Sequence, residues 1–238
     1  MKEYNGTIYR PPVEAETYLL PVTEGCTHNA CRFCSMYKGI PFKVITLCDV
    51  EEYLDTTVPL YRRMGIDLSR IYLLGADPFA LSFNKLKERI ELIKAYVPEC
   101  ETITMYAAVR NIMTKSDDEL RQLKQMGVDD LYVGIESGLD DVLENLNKGN
   151  TLEDARVQSL RLLEAGIQHR DMLMHGLIGH VRKAPFTLSE EADDAMWVPA
   201  EETINLSSPD SPGNALYGLY KIFMQDQKGE CDNRKNNL

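Results

Sequence analysis

The sequence predicts an α/β fold in which a parallel sheet curls into a partial (β/α)6 barrel of the TIM type. Short apolar runs recur along the chain, charged segments of helical period follow them, and residues able to do chemistry stand where the runs end. Apolar runs of strand length separated by amphipathic helices imply βαβ units, whose strands are parallel and buried on both faces. Six such units fit the chain. Six are too few to close an eight-stranded barrel, but they suit an incomplete one, in which functional groups still gather at the C-terminal strand ends.

The first strand is expected at residues 17–23, running straight into a loop rich in cysteine. A strand at 71–75 precedes a helix over 83–96, and a strand at 102–106 precedes a helix over 116–126. The fourth strand, 130–136, is followed by helices over 140–146 and 151–165. A fifth strand at 172–177, a helix opening near Leu188, a sixth strand at 203–206 and a last helix from about Gly213 complete the pattern. Gly127 and Gly166 fall between a helical and a strand pattern, where a left-handed capping residue belongs. Residues 1–227 read as one core domain, and residues 228–238 as a polar tail expected to be mobile.

At 238 residues and 44% apolar, the chain is long enough for one sizeable core. Its net charge of -11 argues against a general nucleic-acid-binding surface, which needs clustered Lys and Arg. The opening residues carry no apolar signal region and no run is long enough to span a bilayer, so a cytoplasmic protein without membrane attachment is expected. Cys48, Cys100 and Cys231 stand apart from one another and read as ordinary reduced cysteines.

The other three cysteines, Cys26, Cys31 and Cys34, fall within nine residues in the spacing C-x4-C-x2-C. A structural zinc site closes its tetrahedron with four protein ligands, usually from two separated knuckles. This loop offers one knuckle, and His28, the candidate fourth ligand, lies inside the loop joining two of the others, where tetrahedral bonding is cramped. A redox-active CxxC pair leaves Cys26 without a task. Soft thiolates grouped this closely suit an iron-sulfur cluster, and three of them on a [4Fe-4S] cube leave one iron open.

With that loop, the chain resembles the radical S-adenosylmethionine (SAM) superfamily, and within it the oxygen-independent coproporphyrinogen oxidase and elongator-like groups. The resemblance spans about residues 18–179. It implies that Cys26, Cys31 and Cys34 hold a [4Fe-4S] cluster and that SAM binds the open iron. It further implies a flavodoxin- or ferredoxin-type electron donor, and a deoxyadenosyl radical that abstracts hydrogen from a substrate the sequence does not name. Phe33 matches the aromatic position near the adenine. Gly75 and Asp77, in Gly75-Ala-Asp-Pro78, stand where the family has Gly-Gly-Glu; Asp77 either accepts from the methionine amino group or caps the following helix. Arg110, at the end of the third strand, pairs with the methionine carboxylate or a substrate acid, or is a surface ion-pair partner. Glu136 and Ser137, in Gly134-Ile-Glu-Ser-Gly138, match ribose-binding positions, with a buried salt bridge as the other reading of Glu136. Gly176 and Gly179 match the fifth-strand glycines that let backbone approach the adenine. Lys148, in Asn147-Lys-Gly149, reads as a substrate contact or as part of a helix cap. His175 and His180 read as local hydrogen-bonding residues, with proton donation as the other reading, and Met36-Tyr37-Lys38 as a loop shielding the cluster rather than one facing a substrate.

The superfamily's commonest spacing is C-x3-C-x2-C, so the loop here is one residue longer, and that residue is expected to bulge outward. Pro185 and Pro199 bracket a short stretch that leaves the fifth helix little room. The competing reading from another class is a non-catalytic zinc or iron-sulfur module that recruits a partner.

Overall fold

The computed structural model of the chain describes residues 8–174. The elements expected near Leu188, at 203–206 and from Gly213, the prolines Pro185 and Pro199, and the tail at 228–238 with Cys231 lie outside the described residues.

Strand β1 (Tyr18–Pro21) leads into a small antiparallel pair, β2 (Thr23–Glu24) and β3 (Lys43–Val44), and the cysteine loop is the connection between those two arms. Helix α1 (Leu47–Arg63) follows, then β4 (Arg70–Leu74), α2 (Phe83–Tyr96), β5 (Thr102–Ala108), the short α3 (Val109–Ile112) and α4 (Asp117–Gln125). Strand β6 (Leu131–Glu136), α5 (Asp140–Asn145), α6 (Leu152–Glu164) and β7 (His169–Leu173) complete the described chain.

Strands β1, β4, β5, β6 and β7 form one five-stranded sheet in chain order, every pair parallel. An order that never reverses means that each crossover advances the same way around the sheet. Because such crossovers are right-handed, the helices fall on one side and the sheet curls away from them, as in a barrel. The expected α/β class and partial barrel therefore stand, with five strands inside the described residues.

Period-2 alternation sorts the strand side chains onto two faces. On the outer face Leu20, Leu73, Met105 and Val133 share one core with Leu54 of α1, Ile90 of α2, Leu123 of α4 and Leu162 of α6. On the inner face Tyr72, Leu74 and Tyr132 pack with Leu19, Tyr106 and Met172. Two of the three contacts among the Tyr72, Tyr106 and Tyr132 rings are edge-to-face, with centroids 5.8 and 6.0 Å apart, a geometry that aromatic quadrupoles favour.

The N-terminal end of this inner face is closed by charge. Glu14, fully buried, accepts from Arg70 at 2.5 Å, from the Thr17 hydroxyl at 2.6 Å and from the Tyr132 hydroxyl. Arg70 continues to Asp130 at 2.7 Å, and Arg170 donates to the same carboxylate at 2.8 Å. Burial alone would raise the Glu14 carboxyl, yet the bonds from Arg70, Thr17 and Tyr132 bring it below its ordinary range. The network thus links β4, β6 and β7 at their first residues, opposite the end where function is expected.

Side-chain caps fix the helix starts. Ser82 caps α2, and Ser116 and Thr151 form capping boxes on α4 and α6. Gly127 and Gly166 take φ of 103° and 79° beyond the ends of α4 and α6, as their positions predict. Two boundaries differ from expectation. Helix α1 fills a stretch to which the sequence pattern assigned no element: Pro59 stands inside it, but Val50, Leu54 and Val58 keep its buried stripe. Strand β7 starts at His169 rather than at 172, because residues 169–173 pair with β6 from Leu131 onward, and residues 175–177 of the expected strand lie outside the described residues.

Candidate active site

A cleft opens at the C-terminal ends of β4, β5, β6 and β7, enclosing about 780 Å³ including space open to solvent. The cysteine loop lines it with Cys26, Cys31, Phe33, Cys34, Met36 and Tyr37. Strand ends and the turns after them line it with Asp77, Arg110, Gly134, Glu136 and Lys148. Sequence positions as distant as 26, 77, 110 and 136 meet because each follows or ends a strand of one curled parallel sheet.

All three thiols are half-buried and unbridged. Burial pushes the Cys31 thiol up, while the neighbouring Lys148 and Arg110 charges pull it back toward the thiolate that binds metal. Among the described residues no three His, Cys, Asp or Glu side chains converge to hold a single metal ion. A [4Fe-4S] cube takes its thiolates at separate corners, one iron each, and does not require them to converge on one ion. His28 does not turn to them: its Nε2 lies 2.5 Å from the Asn147 carbonyl, and because a carbonyl only accepts, that nitrogen carries the proton.

Glu136 is 3% exposed and ends β6 at a bulge, with a left-handed φ of 72°. A non-glycine residue held there stores strain, a frequent property of functional positions. Its Oε1 accepts from the Lys148 ammonium at 2.6 Å, while Oε2 is buried with no partner among the described residues. Lys148 reaches over Phe33, 5.9 Å from the ring centroid. Gly134 makes room for this pair, since a Cβ there would lie 2.8 Å from Glu136 Oε1 and 2.9 Å from Lys148 Nζ. Both readings of Glu136 therefore have a counterpart: it is salt-bridged, and it keeps one oxygen unspent in the cleft wall.

Asp77 is equally buried, but its oxygens are engaged. Oδ1 accepts from the Ala108 N–H at 3.2 Å and Oδ2 from the Asn111 amide, so the side chain ties the β4 end to α3, which carries Arg110. It makes no side-chain cap, and Ser82 caps the next helix instead. Loss of water pushes the Asp77 carboxyl up to about 6 against those hydrogen bonds and the charges of Arg110 and Lys115. Lys115, also buried, is pulled down to about 8 by desolvation and donates to the Phe79 carbonyl at 2.9 Å.

Gly75 sits behind the cleft wall, where a Cβ would meet Thr23 Oγ1 at 2.0 Å. The Ser137 hydroxyl accepts from the Leu139 N–H at 3.2 Å and is not among the cleft-lining residues. Met36 and Tyr37 do line the cleft, with Tyr9 edge-on against Tyr37. Gly176, Gly179, His175 and His180 lie outside the described residues. Lys148 stands nearer the centre of the site than its Lys-Gly setting predicts, and Asn111, Tyr106 and Tyr132 join it with no motif to mark them. Alternation from Glu136 back through Gly134 to Tyr132 was the available signal for the last.

The profile of the radical SAM superfamily matches residues 20–182. The chain belongs to the radical SAM superfamily. The heme chaperone HemW of Bacillus subtilis (strain 168) is 26% identical over 216 residues, covering 87% of this chain and 55% of that protein, so the chain spans about half the length of this curated relative. Among solved structures, the cobalamin-dependent SAM radical enzyme OxsB, with aqua-cobalamin and SAM bound, superposes with a TM-score of 0.53 at 19% identity, over 66% of this chain and 24% of that one. The radical SAM methyltransferase TsrM of Kitasatospora setae, with cobalamin and a [4Fe-4S] cluster bound, gives 0.51 at 18% identity, over 66% and 30%. At such identities these likenesses speak to the fold alone.

The superfamily's cofactors are a [4Fe-4S] cluster and SAM, and the residues present fit both. Three thiols with cations beside them suit the cluster, and an unspent buried carboxylate oxygen with two cationic side chains suits a ligand bearing hydroxyl and carboxylate groups. Among the described residues no helix is long and apolar enough to cross a membrane.

Proposed function

We propose that this radical SAM protein is an enzyme that binds a [4Fe-4S] cluster through Cys26, Cys31 and Cys34 and cleaves SAM reductively. The observation that carries this reading is one cleft lined by three thiols together with Glu136, Lys148 and Arg110. Held by Cys26, Cys31 and Cys34, the cluster would supply one-electron reduction of the SAM sulfonium, and with it methionine and a deoxyadenosyl radical able to take hydrogen from a substrate.

The chain's own residues then have distinct tasks. The unspent Glu136 Oε2 accepts from a ribose hydroxyl, which relieves a buried oxygen that otherwise lacks a partner. Arg110 faces the methionine carboxylate or a substrate acid, and Lys148 holds Glu136 in place. Asp77 anchors α3 and with it Arg110, and keeps lone pairs for the methionine amino group. Phe33 packs near the adenine. Gly75 and Ser137 support this arrangement from behind the wall. Met36 and Tyr37 exclude water and oxygen from the thiols. A flavodoxin- or ferredoxin-type donor supplies the electron, and residues 1–227 make up the working domain.

Anaerobic reconstitution with iron and sulfide tests the reading. The expected product is brown, with about four irons per chain, and yields deoxyadenosine with dithionite and SAM, whereas Cys31→Ala yields none. A colourless protein carrying one zinc sinks the proposal and favours the partner-recruitment module.

A further inference from the structure

The added residue of the C-x4-C spacing lies in the segment from Thr27 to Ala30, and that segment is bound rather than loose. His28 Nε2 donates to the Asn147 carbonyl at 2.5 Å, the Asn147 amide donates back to the Ala30 carbonyl at 3.0 Å, and the Arg32 N–H donates to the Leu146 carbonyl at 2.9 Å. Three bonds thus stitch residues 28–32 to the turn that ends α5. On its other side the same loop is pinned by the Asn29 amide, which donates to the Ile40 carbonyl at 3.0 Å.

Both faces of the stitch are shaped to make it. Asn29 and Asn147 each take a left-handed φ, 47° and 53°, which asparagine tolerates better than most residues. Gly149 closes the turn with φ of 82°, and a Cβ there would lie 3.1 Å from the His28 ring and 3.3 Å from Arg110. The residue between Asn147 and Gly149 is Lys148, whose ammonium holds Glu136. A single turn therefore fixes the cysteine loop through the Leu146 and Asn147 carbonyls and the Asn147 side-chain amide, and Glu136 through the Lys148 side chain.

We propose that His28 is a positioning residue, the keystone of a strap that holds the three-thiol loop in its cluster-receiving shape and sets it in register with the Lys148–Glu136 pair. This rests on the reading that the loop holds a [4Fe-4S] cluster. A four-residue spacer lets a side chain in its middle reach the α5 turn while the thiols stay on the cleft wall. His28 contributes hydrogen bonding only; it is not an iron ligand.

The test is anaerobic reconstitution of the full chain with ferrous iron and sulfide, followed by a chelator challenge in which a ferrous chelator bleaches the cluster absorbance. His28→Ala is expected to bleach about threefold to tenfold faster than the parent, the weight of one net hydrogen bond. His28→Gln keeps a donor and returns most of the retention. Asn147→Gly keeps the left-handed backbone but removes the amide, and it should match His28→Ala. The double variant should be no worse than either single one, because the bonds act as one unit. Thermal unfolding of the metal-free variants should stay near the parent value, which separates strap from scaffold. Bleaching at the parent rate in His28→Ala, or fully additive losses in the double variant, overturns the proposal. A parent chain that takes up no cluster overturns instead the function on which it rests.

Discussion

Replacing Asp77 with asparagine probes the wall behind the cleft. The carboxyl is 3% exposed and pushed up to about 6 from its ordinary 3.8, chiefly by loss of water. Each tenfold change in proton affinity is worth about 1.4 kcal/mol, so ionised Asp77 costs the folded state about 3 kcal/mol at pH 7 relative to the protonated group. Between those two pKa values the folded chain holds a proton that the unfolded chain has already released. Stability from this group is therefore fully present below the ordinary 3.8 and lost as pH rises through about 6. Asparagine does not ionise there, its carbonyl still accepts from Ala108 N–H, and a turned Asn111 amide keeps the second bond. Urea unfolding of the metal-free, reduced chain from pH 4 to 7.5 is the assay. The variant should gain on the parent by about 3 kcal/mol across that range. A difference between the two that stays constant with pH would refute the reasoning.

Other substitutions test other parts of the molecule. Lys148→Met strands the buried Glu136 carboxylate and should cost about 3 to 5 kcal/mol in urea unfolding; adding Glu136→Gln should recover part of that loss, and full additivity would show that the pair is uncoupled. Gly134→Ala pushes on the flexible ends of the same pair, so a loss of about 1 to 3 kcal/mol is expected together with weaker SAM binding by the reconstituted protein, and parent-like values in both measurements would count against the packing described. Glu14→Ala removes the acceptor shared by Arg70, Thr17 and Tyr132 and should destabilise the chain by about 3 kcal/mol or more at pH 7. Cluster content in that variant should match the parent, because the network lies at the far end of the strands.

Much of this was legible in the sequence, and the exceptions have physical causes. Helices α2, α4, α5 and α6 fall where periodicity puts them, and Ser82, Ser116 and Thr151 reinforce three of those starts with side-chain caps. Helix α1 was hidden by Pro59, whose cost is met by tertiary packing of Val50, Leu54 and Val58 against the sheet. The thiols, Glu136 and Arg110 were readable because strand ends in a parallel barrel converge whatever lies between them. Lys148 was readable only in part. Its Lys-Gly setting is also that of an ordinary helix end, and its partner at Glu136 is fixed by a bulge that no local pattern announces. Asp77's bond to Asn111 depends on how α3 seats against β4, a matter of packing rather than of local sequence.

The buried network at the foot of the barrel also bears on how the chain folds. Glu14 meets Arg70 across 56 residues and Tyr132 across 118. Contacts of that reach must close long loops before they return stability, so this network is expected to form late in assembly. Interactions absent from the transition state hold the native form against unfolding without hastening its formation. Glu14 therefore acts as a latch on the finished fold: its removal should speed unfolding and leave the refolding rate nearly untouched.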